Sequence, residues 1–456
     1  IDTIVAISTP PGEGGVGMVR LSGPEAIGIA ATIFRSSRGR DLLAARRQRV
    51  FHGHILDDRG RVIDEVLAHV MRAPHSYTAE DTVEITGHGG AIPLQAILER
   101  ALEAGARLAE PGEFTRRAFL NGRIDLTQAE AVMDQIRART AAALRAANDL
   151  AGGALSRALS PLRESLVDIS AHVEAAVDFP EEDLPELVTP DLFSRLTDLR
   201  RAMQQLIDSS RAGRIYREGA HIVIAGKPNV GKSSLFNALL RDNRAIVTAQ
   251  PGTTRDRIEE QISLGGLPVR LTDTAGIRET CDEVERIGVD RAREAFNSAD
   301  LVLFIIDRSQ PFTEEDNLIL ESLTDQEAPV VIVANKADLQ GGDLSLPEAA
   351  QAFSGPFLLS AITGEGLADL ESALCNLLVG AGSLTENRPM LARTHQADSL
   401  RRAGAAIDRV LENSAASPEL LAFDLREAID AIGEITGETT PEDLLDRIFS
   451  SFCIGK

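Results

Sequence analysis

The octapeptide Gly226-Lys-Pro-Asn-Val-Gly-Lys-Ser233 decides the fold of the middle of this 456-residue chain. It fits the phosphate-loop pattern G-x-x-x-x-G-K-[ST], follows a run predicted as a buried strand at 221–225 and opens a run predicted as a helix at 234–240. Such glycines let backbone N–H groups curl around phosphate oxygens, while Lys232 reaches the β- and γ-phosphates and the Ser233 hydroxyl ligates Mg²⁺. The alternative is an ordinary glycine-containing turn, but such a turn would not require a strand before it and a helix after it. The pattern therefore predicts a nucleotide-binding α/β domain, in which Lys227 occupies a free position without a predicted role.

Two further motifs are expected to surround the γ-phosphate and the metal. The hydroxyl-rich loop at 248–256 is predicted to be a switch segment, with Thr254 as the second hydroxyl ligand of Mg²⁺ and Thr253 as the competing choice. Asp273-Thr-Ala-Gly276 follows a predicted strand, so its carboxylate can hold the metal through water and the Gly276 N–H can contact the γ-phosphate.

The remaining motifs select the base. In Asn335-Lys-Ala-Asp338, the aspartate accepts two N–H bonds from guanine, whereas adenine would turn an acceptor toward it. Ser360-Ala-Ile362 is predicted to be the last loop that contacts the base. Four motifs in this order are specific to GTPases. The predicted GTP-binding residues are Asn229, Val230, Gly231, Lys232, Ser233, Ser234, Thr248, Ala249, Gln250, Pro251, Gly252, Thr253, Thr254, Asp273, Thr274, Ala275, Gly276, Asn335, Lys336, Asp338, Ser360, Ala361 and Ile362.

Hydrolysis requires a group that orients the attacking water, and Ile277 stands where many related GTPases carry a glutamine for this purpose. The nearest source of a polar group is the acidic helix start at 281–286, which contains Glu285. On residue type alone, the favoured interpretation of Glu285 is a solvated glutamate in the first turn that interacts favourably with the helix dipole. Asn229, within the phosphate loop, offers a carbonyl oxygen to a monovalent cation.

Composition indicates an acidic, multidomain protein. A net charge of −22 with 43% hydrophobic residues argues against attraction of the whole molecule to nucleic acid, yet leaves room for a local basic surface. Residues 1–125 hold 16 acidic residues and 15 arginines, so a polyanion-binding face is expected to include this segment. Without an apolar run of membrane-spanning length or an export signal, we expect a cytoplasmic protein with no membrane partner. Its three cysteines are expected to be reduced thiols.

The chain is predicted to be multidomain, combining α/β and all-α parts. Residues 1–120 read as an α/β domain, with strands at 3–8, 17–21, 50–56, 62–71 and 82–85 and helices at 24–34 and 91–104. Within it, Gly12-Glu-Gly-Gly-Val-Gly17 satisfies a dinucleotide-binding pattern, but β-like residues follow, so a glycine-rich hairpin is favoured. His52 and His54 would share one strand face, and solvated histidines are favoured over a metal pair.

A helical domain is predicted in two halves, 121–217 and 381–456, with the P-loop GTPase domain at 218–380 inserted between them. In the first half, one helix is predicted to start at Ser160-Pro161, and another to run through Arg211 after a loop at 178–190. The second half is predicted to contain helices at 396–411, 418–435 and 441–449. The last two would each follow a capping hydroxyl, Ser417 or Thr440.

Several further motifs are spread along the chain: Thr9-Pro-Pro-Gly-Glu-Gly-Gly-Val-Gly17 with Arg20, Tyr77-Thr-Ala-Glu-Asp81, Gly87-His-Gly-Gly90, Pro111-Gly-Glu-Phe114 and the terminal Cys453-Ile-Gly-Lys456. With these motifs the chain resembles, over essentially its whole length, the MnmE (TrmE) family of tRNA-modification GTPases. The resemblance implies a homodimer joined through N-terminal domains that bind 5-formyl-tetrahydrofolate. It also implies GTPase domains that pair in a K⁺-dependent way. With the FAD-dependent partner MnmG (GidA), such proteins add a carboxymethylaminomethyl-type group to the wobble uridine of certain tRNAs.

The resemblance also implies roles for individual residues. It assigns K⁺ to Asn229, Thr248, Gln250 and Thr253, and Mg²⁺ to Ser233 and Thr254. It assigns folate binding to Arg20, Glu84, Arg123 and Lys456. The catalytic residues that it implies are Glu285, which would orient water, Lys232, and Cys453, which on residue type and position alone would be an inert thiol.

Two other functions remain open on the sequence. A GTP-regulated assembly or ribosome-associated switch would share the phosphate loop but would not bind folate. An ATP-dependent enzyme is disfavoured by Asn335-Lys-Ala-Asp338, and equal affinity for ATP and GTP would revive it.

Overall fold

The computed structural model describes residues 2–178, 190–243, 259–273, 296–324, 326–341, 345–380, 389–413 and 417–456. The chain divides into two compact units, residues 1–133 with 430–456 and residues 134–429. Within the described ranges, every helix is too short or too polar to span a bilayer.

The first unit contains a seven-stranded sheet in the order β3-β4-β5-β6-β2-β1-β7. Its neighbouring strands are antiparallel except for β1 and β7, which are parallel. The strands are β1 (Ile4–Ile7), β2 (Gly14–Ser22), β3 (Phe34–Ser36), β4 (Arg49–Leu56), β5 (Val62–Met71), β6 (Thr82–Gly89) and β7 (Arg107–Leu108). Helices α1 (Ala26–Ile33) and α2 (Ala91–Glu103) join one face of the sheet in a single apolar core. The five strands and two helices predicted in this region are confirmed, with ends that shift by a few residues.

Buried and more exposed side chains alternate along β2 and β6, so the two faces of this sheet differ in character. Val19 and Leu21 are fully buried in the core beside Val83 and Ile85 of the paired strand. Successive side chains in a strand point to opposite faces, so the intervening Arg20, which is paired in register with Glu84, points away from that core. The glycine-rich hairpin is confirmed, because residues 14–17 lie within β2 rather than before a helix.

Three helices and the chain end complete the first unit. Helix α3 spans Glu113–Leu120, α4 begins at Leu126 and ends at Arg137, and α14 spans Glu442–Ser450. A small apolar cluster joins these segments and contains Leu126, Ala129, Met133, Leu445, Phe449 and Phe452. Beyond α14, Ile454 forms a β-bridge with Pro111.

The second unit contains the remaining helices and a six-stranded sheet. The helices outside the sheet domain are α5 (Ala141–Ala151), α6 (Ala154–Asp178), α7 (Pro190–Asp208), α8 (Ser210–Glu218), α12 (Thr394–Glu412) and α13 (Pro418–Thr436), whose end passes into the first unit. Helix α7 packs against α12, and the Arg200 guanidinium lies 3.0 Å from the Asp408 carboxylate between them. Helices from the two sequence-distant halves of the chain therefore pack against each other.

The predicted helix start at Ser160-Pro161 is wrong. Helix α6 begins at Ala154, after Gly153 with φ +79°, and continues through Pro161. The buried face already includes Leu155 and Leu159, so apolar packing continues the helix across the proline, which removes only one backbone donor. The Ser160 hydroxyl contacts the Glu164 carboxylate 2.7 Å away instead of capping the helix.

Two other helix ends also differ from prediction. The helix expected to run through Arg211 is interrupted at Ser209, where the hydroxyl donates to the Leu206 carbonyl and accepts from Leu391 N–H. In α14, Pro441 lies one position before the helix, and the Thr440 hydroxyl bonds the Glu434 carbonyl rather than capping α14. The break at Ser209 thus coincides with a contact to the distant Leu391, and the Thr440 hydroxyl bonds the preceding helix instead of the one that it was predicted to cap.

The six-stranded sheet has the order β13-β12-β11-β8-β10-β9, and only β9 is antiparallel to its neighbour. Its strands are β8 (Ala220–Ala225), β9 (Glu259–Leu264), β10 (Leu267–Asp273), β11 (Leu301–Asp307), β12 (Val330–Asn335) and β13 (Ser354–Leu358). Helices α9 (Lys232–Asn243), α10 (Glu314–Thr324) and α11 (Leu367–Val379) accompany them. Parallel strands align their carboxyl ends, so the carboxyl ends of β8, β10, β11 and β12 meet at one edge.

Candidate functional site

The phosphate loop connects β8 to α9 in a conformation that its glycines permit. Gly226 and Gly231 adopt φ values of +145° and +97°, and Asn229 adopts +63°. Lys232 is the first residue of α9, is 6% exposed, and donates from Nζ to the carbonyls of Gly226 and Lys227, each 2.8 Å away. The loop thus folds back on its own lysine at a helix N-terminus, an arrangement suited to binding anions.

Ser233 and Asp273, two of the predicted metal-site residues, lie together at this edge. The Ser233 hydroxyl donates to Asp273 Oδ2 over 3.2 Å, joining the start of α9 to the end of β10. A hydroxyl and a carboxylate oxygen are ligands of the kind that Mg²⁺ prefers, so the residues present fit the predicted ion.

Asn335 connects the phosphate loop with the loop predicted to contact the base. Its Nδ2 donates to the Val230 carbonyl over 2.9 Å, and its Oδ1 accepts from Ala361 N–H over 3.0 Å. The side chain is 2% exposed, and a Cβ atom placed on Gly231 would lie 2.2 Å from Nδ2. The structure therefore joins three predicted motifs through one buried amide.

The predicted base-binding residues lie beside this amide. Lys336, with φ +67°, places Nζ 2.6 Å from the buried carboxylate of Asp307. Burial favours a higher pKa for Asp307, but hydrogen bonds from Lys336 and Ser309 outweigh it and hold the pKa below its usual value. Asp338 is exposed, as binding a guanine edge requires, and the Ser360 hydroxyl accepts from the N–H groups of Ile362 and Thr363.

Lys227 is the residue at this site that sequence reasoning missed. Its Nζ lies 2.7 Å from Asp316 Oδ2 and 3.1 Å from the Thr313 hydroxyl, and Asp316 is 2% exposed. The same carboxylate accepts from the Thr313 N–H and hydroxyl, which supplies the carboxylate half of a capping box at the start of α10. The T-x-x-D spacing before an apolar run was the available signal. Lys227 therefore ties the phosphate loop to α10, while its carbonyl holds Lys232.

Replacement of Lys227 by methionine should destabilise the protein by roughly 3 kcal/mol, because it leaves the buried Asp316 carboxylate without its cation. Urea unfolding, followed at the transition of the GTPase domain, would measure the loss of stability. Lys227→Arg should retain most of the stability, and the double variant Lys227→Met with Asp316→Asn should recover part of it. A methionine variant with the wild-type unfolding free energy would contradict this role.

Several predicted site residues lie outside the described ranges. These are Thr248, Ala249, Gln250, Pro251, Gly252, Thr253, Thr254, Thr274, Ala275, Gly276 and Glu285. Their assignments to GTP, Mg²⁺, K⁺ and the attacking water stay predictions.

The four predicted folate-binding residues are brought together in the first unit. Arg20 lies 2.8 Å from the Glu84 carboxylate, and its guanidinium carbon lies 5.6 Å from the centre of the Tyr77 ring. The guanidinium carbon of Arg123 lies 5.0 Å from the same ring. The ammonium of Lys456 interacts electrostatically with Arg20 and Glu84. Three cations, a carboxylate and an aromatic ring therefore share one site.

Contacts with the N-terminal strands and α3 anchor the C-terminal segment at this site. The Gly455 carbonyl accepts from the Ser8 hydroxyl over 3.1 Å, and the Lys456 carbonyl accepts from Phe114 N–H over 3.2 Å. Gly455 has φ +92°, and a Cβ atom there would lie 2.5 Å from the Ile7 carbonyl oxygen. Only glycine fits this close approach without displacing a strand.

The two candidate functional residues of the terminal segment, Lys456 and Cys453, differ in exposure. Burial lowers the pKa of the Lys456 ammonium, and the neighbouring Arg20 lowers it further, against opposing effects of Glu84 and Cys453. The Cys453 side chain is exposed, and its carbonyl accepts from Lys456 N–H over 3.3 Å. The chain end therefore presents an accessible thiol beside a partly desolvated ammonium.

Comparisons with known proteins cover the entire chain. The family model described as the MnmE helical domain matches residues 126–453, and the one described as the GTP-binding protein TrmE N-terminus matches residues 3–123. The tRNA modification GTPase MnmE of Symbiobacterium thermophilum is 49% identical over 459 residues, which cover 100% of this chain and 99% of that protein. The protein of the same name from Chloroflexus aurantiacus is 49% identical over 464 residues and 100% of both chains. That of Alkaliphilus oremlandii is 45% identical over 463 residues, 100% of this chain and 99% of its own.

Proposed function

The chain belongs to the MnmE family of tRNA modification GTPases, and from this premise we propose that it couples GTP hydrolysis to folate-dependent modification of a wobble uridine. The observation that supports the proposal is that Arg20 and Arg123 both lie against the Tyr77 ring, while Glu84 pairs with Arg20 and Lys456 interacts with both members of that pair, in a chain that also carries the GTPase motifs. The group transferred would be carboxymethylaminomethyl-like, with the FAD-dependent protein MnmG as partner.

The chemistry of the N-terminal site suits 5-formyl-tetrahydrofolate. A folate combines a flat heteroaromatic ring that carries N–H donors with an anionic tail. The Glu84 carboxylate can accept from the ring donors, while Arg123 and Lys456 can pair with carboxylates of the tail. Tyr77 offers a face for stacking. Bound there, a folate would supply the one-carbon unit, and the exposed Cys453 lies near enough to Lys456 to be a catalytic candidate.

In the GTPase domain we assign the phosphates to the backbone of residues 229–234 and to Lys232, and guanine to Asn335, Lys336, Asp338 and the 360–362 loop. Mg²⁺ would be held by Ser233 and Thr254 with Asp273 through water, and it would neutralise charge developing on the phosphates. Glu285 would orient the attacking water, which Ile277 is unable to do. Asn229 would ligate K⁺ together with Thr248, Gln250 and Thr253 during pairing of two GTPase domains.

The protein would thus be a homodimer joined through its N-terminal domains, would work in the cytoplasm, and would engage tRNA and MnmG without a membrane. The decisive measurement is calorimetric titration with 5-formyl-tetrahydrofolate, using wild type and Lys456→Met. We expect binding by the wild type and at least tenfold weaker binding by the variant, because one charge-assisted contact is lost. Undetectable binding to the wild type would favour a GTP-regulated assembly switch instead.

Potassium should stimulate GTP hydrolysis relative to sodium by about tenfold or more, the amount expected if the cation stabilises charge in the transition state. Steady-state hydrolysis in matched KCl and NaCl would measure this. Asn229→Ala should remove the stimulation while leaving GDP affinity within a few-fold of wild type, since Lys232 and the loop backbone remain. Retained stimulation in Asn229→Ala would reject the proposed cation site.

A further inference from the structure

A strongly basic surface lies in the connection between β3 and β4 and at its two ends. Residues 35–49 contain six arginines and one aspartate, a net charge of +5 in a chain of net charge −22. All six guanidinium-bearing side chains are exposed. We call this set the arginine surface, and its members are Arg35, Arg38, Arg40, Arg46, Arg47 and Arg49.

The arginine surface differs from other arginines of the same unit in its lack of carboxylate partners among the described residues, although the Arg49 guanidinium carbon lies 5.4 Å from the centre of the Phe51 ring. Arg20, Arg107 and Arg117 each form ion pairs with carboxylates of the unit. In the part of the chain that the structure describes, none of the six surface arginines has a carboxylate within ion-pair distance. Even the local Asp41 is engaged elsewhere, since its Oδ1 accepts from Leu43 N–H over 2.9 Å. The positive charge is therefore available to an external partner.

The backbone that carries these arginines is anchored rather than loose. Leu42 and Ala45 are 2% and 3% exposed, and both belong to the apolar core of the sheet. Arg72 donates from Nη2 to the Leu43 carbonyl over 3.1 Å and from Nε to the Ala45 carbonyl over 3.0 Å. The Arg72 guanidinium also forms a 2.7 Å ion pair with the Asp81 carboxylate, so its own charge is neutralised. Because the backbone of this connection is already fixed, less conformational entropy is lost when its arginines bind a ligand.

We propose that the arginine surface docks the phosphate backbone of the tRNA substrate. RNA affinity comes largely from phosphate contacts, and the planar guanidinium donates two parallel hydrogen bonds to phosphate oxygens. The rest of an acidic chain repels a polyanion, so a concentrated positive surface also orients the encounter. Structured RNA is recognised mostly through its shape and its backbone, and a group of exposed arginines suits this kind of recognition. The proposal rests on the tRNA-modification activity of the family and is independent of folate use.

The test compares two triple variants of the full-length protein that remove the same charge. The first carries Arg38→Gln, Arg40→Gln and Arg47→Gln. The control carries Arg59→Gln, Arg201→Gln and Arg401→Gln, three exposed arginines outside the arginine surface. Binding of an unmodified tRNA transcript is measured from low to moderate salt, and GTP hydrolysis without tRNA confirms that each variant is folded.

Loss of three phosphate contacts should make the slope of log K against log salt shallower by about 2 to 3. At about 0.1 M salt the first variant should bind tRNA at least tenfold more weakly, whereas the control should stay within a few-fold of wild type. Equal slopes and affinities in the two triple variants would overturn the proposal. It would also be overturned if the first variant kept tRNA binding and lost binding to the FAD-dependent partner, because the arginine surface would then dock an acidic protein. Folate titration of both variants separates this outcome from a failure of the proposed folate function.

Discussion

Replacement of Gly231 by alanine should weaken binding of both GTP and GDP by about 100-fold or more. The new Cβ atom would lie 2.2 Å from Asn335 Nδ2, inside any allowed contact. Asn335 cannot move aside cheaply, because its amide is buried and joins the Val230 carbonyl to Ala361 N–H. Each polar group that loses its partner costs roughly 1–3 kcal/mol, and a non-glycine residue at φ +97° adds a similar amount of strain.

Gly266→Ala provides the matched control for this change. Gly266 lies in the same domain at φ +91°, so alanine meets a comparable backbone penalty, but its Cβ would lie an ordinary 3.4 Å from Ala142. Fluorescent-nucleotide titration should therefore show near-normal affinity for Gly266→Ala. If Gly231→Ala bound nucleotide as tightly as this control, the amide of Asn335 would not be what shapes the phosphate loop.

Replacement of Gly455 by alanine should weaken 5-formyl-tetrahydrofolate binding by about 10- to 100-fold. The added Cβ would lie 2.5 Å from the Ile7 carbonyl oxygen and 2.9 Å from Ser8 Cα, both backbone atoms next to or within β1. The paired strand is harder to displace than the terminal residues, so the terminal segment should move. Its bonds to Ser8 and Phe114 would be lost, and the Lys456 ammonium would leave Arg20 and Glu84.

The control for this variant is Gly105→Ala in the same unit. Gly105 has φ +110°, and a Cβ atom there meets no atom within 4 Å. Both variants should hydrolyse GTP normally in the absence of the partner, whereas only Gly455→Ala should lose folate affinity in calorimetric titration. Equal folate affinities in the two variants would show that the terminal segment does not build the site.

Local sequence predicted the parts of this protein whose chemistry depends on adjacent residues. The phosphate loop lies between the expected strand and helix, and its glycines and lysine could be recognised because they must stand at fixed, short spacings to wrap a phosphate. The residues of the proposed folate site were different. Arg20, Glu84, Arg123 and Lys456 are scattered along the chain, and only a family resemblance grouped them before the structure did. Neither periodicity nor spacing reports a contact between residues more than 400 positions apart.

The errors arose where tertiary packing outweighed a local signal. Ser160-Pro161 has the composition of a helix start, yet the buried Leu155 and Leu159 extend the helix seven residues earlier. Lys227 looked dispensable because the pattern leaves its position free. Its function in the fold depends on Asp316, which lies 89 residues later and becomes a neighbour only once α10 packs beside the loop.

The terminal segment binds beside β1, so the two parts of this site are made at opposite ends of synthesis. The hydrogen bond between Ser8 and Gly455 spans 447 residues, whereas the sheet that carries Arg20 and Glu84 is complete by residue 108. A ribosome that adds about 5–20 residues per second would take roughly 20–70 s to proceed from the end of that sheet to Lys456. During this interval a nascent chain could have its sheet assembled while Arg20 and Glu84 still await Lys456. Under the proposed function, folate binding would have to wait until Lys456 has been synthesised.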